Sequence, residues 1–409
     1  MRILLIHQAF VSPDQAGGTR HYELAQHLVQ NGHGFTIVAS DLSYLTGERM
    51  AAPKRRLASK QVQNGITILR AYTYPALHRS FVWRVISFLS FMVTSVLAGL
   101  RAGQVDLVMG TTPPIFQAAS AWLVAWLRRR PFLLEVRDLW PEFAIDMGVL
   151  NNPLLIALSR ALETFLYARA THVLVNSPAY RDYLLSKGMP AGKISLIPNG
   201  VSPESFDPNE DGRELRTKLG LSDHFIITYA GAMGAANDLT TVLRAAQRLA
   251  DAPQIHFLFV GDGKERTNLQ STGSQLGLTN VTFTGALPKS QMPEVLAASD
   301  ACLAILKNIP MFGTTYPNKV FDYMAAGRPT ILAIDGVIRE VIEAGDGGVF
   351  VPPGDYEALA ATARALASDT ERARAMGATA RAYVVQHFNR HQQAQDFEQL
   401  VTGLAQRIR

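Results

Sequence analysis

The chain consists of two successive series in which short apolar runs alternate with segments of helical periodicity. In the first series the sequence predicts strands at 3–6, 35–39, 66–70, 106–109, 132–136, 172–175 and 194–197, and helices at 19–31, 81–101, 115–129, 153–169 and 178–187. The second series has predicted strands at 225–229, 255–260, 281–284, 301–306, 330–334 and 348–351. Such alternation is typical of doubly wound parallel sheets with right-handed crossovers. The sequence therefore predicts an α/β fold with two Rossmann-like domains.

The two series meet at residues 198–208, a segment rich in Pro, Asn, Gly and Ser. We expect a first domain at 1–200, a second at 201–385, and a last helical stretch at about 386–409 that packs back on the first domain. Ligands of open parallel sheets bind beyond the carboxyl ends of the strands. We therefore expect the two domains to face each other across a cleft and to present their loops to it.

Composition narrows the class of protein. The single cysteine, Cys302, lies in an apolar run, so an internal disulfide is excluded and a core position is expected. The chain passes from Met1 directly into an apolar strand pattern, so no cleaved signal is visible and a cytoplasmic location is expected. Residues 1–200 hold 20 Lys and Arg against 11 Asp and Glu, while the whole chain carries +5. A basic first half fits anionic lipid or an acidic substrate, and nucleic acid ranks last because aromatics are not interleaved with the basic residues.

The sequence of residues 310–329 predicts a loop and then a short helix that ends abruptly before Pro329. Asn318 is expected to cap the helix. Lys319 and Asp322 are three residues apart and share a helical face, beside the hydroxyls of Thr314 and Thr315. A carboxylate can accept two hydrogen bonds from a ribose diol, while a lysine and a helix N-terminus suit a diphosphate. This pattern favours a nucleotide sugar, and the alternative is a surface ion pair on a packing helix.

Glycines follow several predicted strands of both domains. In the first βα loop Gly17 and Gly18 precede Thr19, a candidate cap, and Arg20. Glycines there let a backbone approach a diphosphate closely, although an ordinary tight turn explains them equally well. The second domain repeats this feature, with a nearby loop leucine as a surface for a nucleobase; these candidates are Gly231, Gly234, Gly263 and Leu287.

A cluster of charged residues follows the predicted strand at 132–136. Arg137 and Asp138 follow it directly, and charged side chains at the carboxyl end of a parallel strand stand where ligands bind. We interpret both as site residues, with a purely structural ion pair as the alternative.

Sixteen uncharged residues separate Arg84 from Arg101. A membrane-spanning helix needs roughly twenty apolar residues, so a span is disfavoured. Two interpretations stay open: a core helix, or a helix dipped into a membrane surface beside Arg79, the basic cluster at 54–56 and the arginines at 128–130. In the second case the membrane-facing residues are Trp83, Arg84, Phe88 and Phe91. Favourable charge at a helix C-terminus explains the 128–130 triplet equally well.

Four motifs follow one another along the chain: Gly17-Gly18, Asn199-Gly200-Val201, Gly261-Asp262-Gly263 and the run from Asp322 to Pro329. Together they resemble the retaining glycosyltransferases of family four, which have the GT-B fold, over nearly the whole chain. Within that family the variants at 137–142 and 317–322 look closest to bacterial members that build O-antigen or capsule, such as the WbuB-like N-acetylfucosamine transferases.

The resemblance implies that the second domain binds the donor and that Asp322 takes the place of the family's ribose-binding glutamate. Thr314 falls where the family often has another glutamate that touches the sugar. Ala232 and Asn237 stand where the family often has Arg and Lys, so Lys319, backbone N–H groups and Arg20 or Arg137 would neutralise the diphosphate. The family's histidine near the Arg137-Asp138 pair has no counterpart in the neighbouring sequence.

The resemblance also implies a reaction, with Asp138, Arg137 and Lys319 as its catalytic residues. We expect retaining transfer of a sugar from a nucleoside diphosphate, UDP above all, to a polyprenyl-diphosphate-linked glycan at the anionic inner face of the plasma membrane. No metal and no other cofactor is expected, since no Asp-x-Asp spacing occurs at these sites. The alternatives are a cytosolic transferase acting on a small soluble acceptor, a nucleotide-sugar 2-epimerase of the same architecture, and a non-catalytic binding protein.

Overall fold

The computed structural model describes the chain except for residues 16, 44–46, 51–57, 77–80 and 407–409. The basic cluster at 54–56 and Arg79 therefore lie outside the described residues. The chain divides into two compact units. Unit 1 comprises Met1–Ser12, Thr19–Pro198 and His391–Arg409, and unit 2 comprises Pro13–Gly18 and Asn199–Arg390.

Unit 1 is built on an eight-stranded sheet in the order β3-β4-β2-β1-β5-β6-β7-β8. All neighbouring strands are parallel except β3 and β4. The strands are β1 (Arg2–Ile6), β2 (Gly34–Ser40), β3 (Ala58–Gln63), β4 (Ile66–Ala71), β5 (Leu107–Thr112), β6 (Phe132–Val136), β7 (His172–Val175) and β8 (Ile194–Leu196). Apart from β3, the strands have near-continuous apolar sequences, which are explained by helices that cover both faces of the sheet.

The helices of unit 1 are α1 (Arg20–Gln30), α2 (Phe81–Leu100), α3 (Ile115–Arg128), α4 (Glu142–Asp146), α5 (Pro153–Arg169) and α6 (Pro178–Ser186). The last helix of the chain, α15 (Arg390–Gln406), contributes Phe397 and Val401 to the same core as Leu5 and Leu28. Its Glu398 also contacts the imidazole rings of two histidines, His27 at 2.9 Å and His33 at 3.0 Å. Apolar and polar contacts together fix the C-terminal helix on unit 1.

Unit 2 is built on a six-stranded parallel sheet in the order β11-β10-β9-β12-β13-β14. Its strands are β9 (Phe225–Ala230), β10 (Ile255–Val260), β11 (Val281–Gly285), β12 (Ala301–Ile305), β13 (Thr330–Ala333) and β14 (Gly348–Phe350). Its helices are α7 (Arg213–Leu219), α8 (Leu239–Arg248), α9 (Arg266–Gln275), α10 (Met292–Ala297), α11 (Asn318–Ala325), α12 (Val337–Ala344), α13 (Tyr356–Ser368) and α14 (Thr370–His387). Alternate strand residues enter two core layers, with Phe257 and Phe259 in one and Leu258 and Val260 in the other.

The predicted two-domain α/β architecture is confirmed, and the predicted strands agree with the observed ones to within three residues at each end. Cys302 is fully buried in β12, as expected. Strand β3 was not predicted, because its exposed Ser, Lys and Gln carry no apolar pattern. Asn64 and Gly65 between β3 and β4 both have positive φ angles, 48° and 79°. An Asn-Gly pair of this kind is the usual signal of a tight hairpin.

Two predicted helix caps need correction. Pro317, with extended backbone, occupies the N-cap position of α11, so Asn318 is the first helical residue and its side chain caps nothing. Thr19 does occupy the N-cap position of α1, but its hydroxyl donates to Glu23 Oε1 at 2.5 Å instead of accepting from a helix N–H.

Helix α2 turns its polar residues inward. The hydroxyl of Thr94 donates to Tyr72 O at 2.7 Å, and Ser90 Oγ accepts from the backbone of Tyr74. Phe91 is fully buried, so the prediction that it faces a membrane is wrong: it lies on the same side of the helix as the inward-facing hydroxyls. Residues Val82–Leu100 are long and apolar enough to span a membrane, but one such helix is weak evidence for a membrane span. A third of that segment is buried inside the structure.

Candidate functional site

Three backbone loops meet at the carboxyl edge of the unit 2 sheet. Gly231 follows β9 and Gly261 follows β10, and the N–H of Gly261 donates to Gly285 O at 2.8 Å. A Cβ on Gly261 would lie 1.9 Å from Gly231 O, and one on Gly263 would lie 2.4 Å from Met233 O. Both residues also have positive φ angles. Only glycine fits such close backbone packing, so the loops form a surface of main chain that a ligand can approach.

Lys319 lies beside this surface. Its ammonium is 3.9 Å from the centroid of the Tyr229 ring, and a Cβ on Gly231 would be 2.8 Å from Nζ. Burial lowers the pKa of Lys319 to about 7. The ion pairs of the described residues include none with Lys319. A partly desolvated cation without a protein counter-ion marks a place for an anionic ligand.

Asp322, one turn further along α11, forms an ion pair with Lys289. Both side chains keep some exposure, 17% for Asp322 and 25% for Lys289. Lys289 follows the loop that contains Leu287, and sequence reasoning did not include it among the site residues. Leu287 is partly buried against the core layer that also holds Val320 and Phe321. The structure therefore brings Asp322, Lys289 and Leu287 to the same end of unit 2.

The other residues of unit 2 that were predicted to bind the donor sugar nucleotide have different local surroundings. The hydroxyl of Thr314 donates to Met311 O at 2.6 Å and that of Thr315 to Phe312 O at 2.9 Å, so both donors serve the local turn. A Cβ on Gly234 would lie 3.9 Å from Asn237 Nδ2, which is ordinary contact, so close packing does not require glycine there. Sequence reasoning also missed Arg266, whose guanidinium lies 3.3 Å from the Asp262 carboxylate and beside Gly285.

The glycines of the first βα loop are grouped with unit 2. Gly17 has a φ angle of 142°. A Cβ on Gly18 would lie 3.5 Å from Asn318 Nδ2, which is ordinary contact. Backbone conformation accordingly restricts Gly17, while Gly18 has room for a Cβ.

In unit 1 the charged residues Arg137 and Asp138 stand at the carboxyl end of β6, as the sequence predicted. Burial raises the pKa of Asp138 to about 6, although Arg137 and a hydrogen bond with Tyr180 act in the opposite direction. Arg137 Nη1 lies 3.3 Å from Nε2 of His7, the residue that follows β1. Burial, His21 and Arg137 together hold the pKa of His7 well below its ordinary value. A buried, neutral histidine thus stands beside Arg137, although none is nearby in the sequence.

Arg20 has a structural role inside unit 1, contrary to the prediction that it binds the donor. Its Nε donates to Glu135 at 3.1 Å, and its terminal nitrogens donate to Pro198 O and Ile197 O at 2.7 and 2.8 Å. His21 contacts the second oxygen of Glu135 at 2.5 Å. Burial would raise the pKa of Glu135, but His21 and Arg20 hold it well below its ordinary value. The network fixes α1 to β6 and to the segment after β8.

Within the described ranges no three His, Cys, Asp or Glu side chains come together as a metal-binding group.

Two successive Rossmann-like parallel-sheet domains, the second with glycine loops at its carboxyl edge, define the class of the protein: it has the GT-B fold. Among solved structures, HepE from Anabaena in complex with UDP and glucose has a TM-score of 0.75 at 19% identity, covering 98% of this chain and 99% of its own. WaaG, a glycosyltransferase involved in lipopolysaccharide biosynthesis, has a TM-score of 0.71 at 16% identity, covering 98% of this chain and all of its own.

Sequence comparison identifies the family. Residues 16–200 match the "Glycosyl transferase 4-like domain" family, and residues 224–369 match "Glycosyl transferases group 1". The putative colanic acid biosynthesis glycosyl transferase WcaI of Escherichia coli is 26% identical over 376 residues, which cover 88% of this chain and 91% of WcaI. The chain therefore belongs to the family-four glycosyltransferases.

Proposed function

We propose that this glycosyltransferase moves a sugar from UDP to a lipid-linked glycan, with retention of the anomeric configuration and without a metal ion, during assembly of O-antigen, capsule or exopolysaccharide. The names of its relatives support this direction. WcaI is described as a putative colanic acid enzyme, WaaG acts in lipopolysaccharide biosynthesis, and HepE was solved with UDP and glucose. The acceptor, the nucleotide and the stereochemistry are proposed on this basis. An N-acetylfucosamine donor, as in WbuB-like members, is one candidate.

The observation that carries the proposal is Lys319. Its ammonium has no counter-ion among the described side chains, is partly desolvated, and stands beside glycine loops with close-packed backbone. A diphosphate supplies the missing negative charge, because charge-assisted hydrogen bonds to phosphate are strong in a site that excludes water. We assign the diphosphate to Lys319 and to backbone N–H groups of the loops after β9 and β10.

The rest of the donor follows from the neighbouring residues. We assign the ribose hydroxyls to Asp322, whose ion pair with Lys289 holds the carboxylate in place. The base would lie against Leu287, and Thr314 and Thr315 would line the sugar through the acceptor capacity of their hydroxyl oxygens. In this arrangement Lys289 orients Asp322 and also adds positive charge for a nucleotide.

The chemical step needs no protein nucleophile. The bond between the anomeric carbon and the diphosphate oxygen breaks, and its electron pair goes to the diphosphate, which Lys319 stabilises. The acceptor oxygen forms the new bond on the same face of the sugar, and its proton passes to a diphosphate oxygen. We assign the acceptor side to unit 1, where Asp138 orients the hydroxyl or stabilises the positive centre, and where His7 and Arg137 hold an anionic part of the acceptor.

A panel of nucleotide sugars, screened by thermal shift with the purified protein, tests the donor. We expect UDP and one UDP-sugar to raise the Tm, and a chelator to leave both binding and transfer unchanged. Transfer is then followed with membrane extracts and with small soluble acceptors, and the anomeric configuration of the product is read by NMR. Absence of stabilisation by any nucleotide would reject the proposal. Product on a soluble acceptor alone, or a 2-epimerised nucleotide sugar without acceptor, would establish one of the alternative activities instead.

A further inference from the structure

Unit 1 has an open pocket at the amino edge of its sheet. It has a volume of about 650 Å³ and lies where α3 and α5 end and β6 and β7 begin. Arginines, tryptophans and a threonine dominate its lining: Trp122, Trp126, Arg129, Arg130, Arg169 and Thr171. The charged residues of the candidate active site, Arg137 and Asp138, follow the opposite end of β6. Five residues of extended strand, roughly 16 Å, separate the two edges. The pocket is therefore distinct from the candidate active site of unit 1.

The three arginines of the pocket are exposed, and the ion pairs found among the described residues include none of them. Favourable charge at a helix C-terminus applies to Arg169, which lies in the last turn of α5 with its guanidinium 5.5 Å from the centroid of the Phe165 ring, and to Arg128 at the end of α3. Arg128 donates to Leu100 O and Gly103 O, each at 2.6 Å, and so satisfies carbonyl groups at the end of α2. In the described part of the chain the side chains of Arg129, Arg130 and Arg169 make no such hydrogen bonds, so their N–H groups remain available to an anion.

An apolar surface adjoins this positive pocket. Trp126, 64% exposed, stacks on Trp122 with ring centroids 6.4 Å apart. Along α2 the exposed large apolar residues other than Trp83 recur every three or four positions and form one stripe. The members of the stripe are Val82, Ile86, Leu89, Val93, Leu97 and Leu100. The C-terminal end of the stripe lies next to the end of α3, because the backbone carbonyl of Leu100 accepts a hydrogen bond from Arg128, the residue before Arg129 of the pocket.

We propose that this pocket binds the phosphate of an anionic phospholipid in a bilayer, while Trp126 and the α2 stripe enter the lipid interface. Exposed tryptophan beside unpaired arginine suits a surface with an apolar interior and negatively charged headgroups. Uncharged lipid would leave the arginines unsatisfied, and a soluble phosphate would leave the apolar stripe in water. This inference goes beyond the sugar-transfer proposal, since it concerns the amino edge of unit 1 and requires no donor.

Vesicle binding by the full chain tests the pocket. The probes are vesicles of phosphatidylcholine with and without phosphatidylglycerol. The variant replaces Arg129, Arg130 and Arg169 by Gln. The matched control replaces three other exposed arginines by Gln and removes the same charge: Arg181, Arg372 and Arg374. An arginine held near an anionic surface contributes about fivefold to binding, so we expect roughly hundredfold weaker binding for the pocket variant and less than about fivefold for the control.

Equal losses in the two triple variants, or no binding of the wild type to anionic vesicles, would overturn the proposal. Circular dichroism and the UDP affinity of each variant, measured in parallel, verify folding and keep this result separate from that of donor binding. A second measurement uses lipids brominated near the headgroup. We expect them to quench tryptophan fluorescence in the wild type and to quench it much less in Trp126→Phe. Identical quenching in both proteins would contradict insertion of Trp126.

Discussion

Replacing Lys319 by Met should stabilise the protein and impair it at the same time. Burial lowers the pKa of Lys319 from 10.5 to about 7, and a shift of this size corresponds to about 5 kcal/mol at about 1.4 kcal/mol per pH unit. The contact with the Tyr229 ring and the partial exposure of the residue offset part of this cost. We therefore expect Lys319→Met to increase the free energy of unfolding by about 2 kcal/mol at pH 6, or the Tm by about 4–8 °C.

The stabilisation should depend on pH with a definite sign. Between pH 7 and pH 10.5 the unfolded chain carries the proton on Lys319 and the folded chain does not, so the stability of the wild type rises with pH in this window. The advantage of the Met variant is accordingly complete below about pH 7 and disappears as the pH approaches 10.5. Urea unfolding at pH 6 and pH 9 measures both values.

The affinity for UDP should fall in the Lys319→Met variant, whereas its stability rises. The diphosphate raises the pKa of the lysine, so binding takes up a proton and the affinity of the wild type falls above about pH 7, by up to about tenfold per pH unit. Removal of one charge-assisted contact should weaken binding by about 10- to 100-fold at pH 6. Calorimetry in buffers of different ionisation enthalpy detects the proton directly. The control is Lys218→Met, at an exposed lysine. A Lys319→Met variant that binds UDP as tightly as the wild type, or that is less stable at pH 6, would refute the reasoning.

Three further changes test other parts of the chain. Asp322→Asn should weaken UDP binding by roughly tenfold, because the amide loses one acceptor and the charge that pairs with Lys289, and calorimetry would show it. Asp138→Asn should lower turnover about a hundredfold while the UDP affinity stays unchanged. Wild-type turnover should fall as the pH drops through about 6, because the Asp138 carboxylate becomes protonated there. A turnover rate that does not depend on pH would contradict this role. Gly261→Ala should destabilise the protein by at least about 2 kcal/mol, since the new Cβ would overlap Gly231 O, whereas Gly273→Ala, in a helix with nothing within 4 Å, should leave the Tm unchanged or raise it.

The sequence was sufficient to predict elements whose evidence is local. The strands of unit 2 are short apolar runs between turn formers, and each was predicted within a residue of its observed ends. The glycines after β9 and β10 were predicted at strand ends because parallel strands place their ligand-binding loops there. By contrast, the role of Gly261 could not be predicted, because the atom that forbids a side chain, Gly231 O, belongs to another loop.

The site residues that sequence reasoning missed contact partners that are far away in the sequence. Lys289 lies 33 positions from Asp322, and His7 lies 130 positions from Arg137. Spacing within one helix or one loop contains no information about either contact. One signal was available for His7, because it directly follows a buried strand, as Arg137 does, and the carboxyl ends of strands in one parallel sheet share an edge. A histidine near Arg137 was sought only in the adjacent sequence, whereas the sheet order, β1 next to β5 and β5 next to β6, is what brings the two together. His7→Gln should therefore lower turnover while UDP affinity stays unchanged, and a loss of UDP affinity would assign His7 to the donor instead.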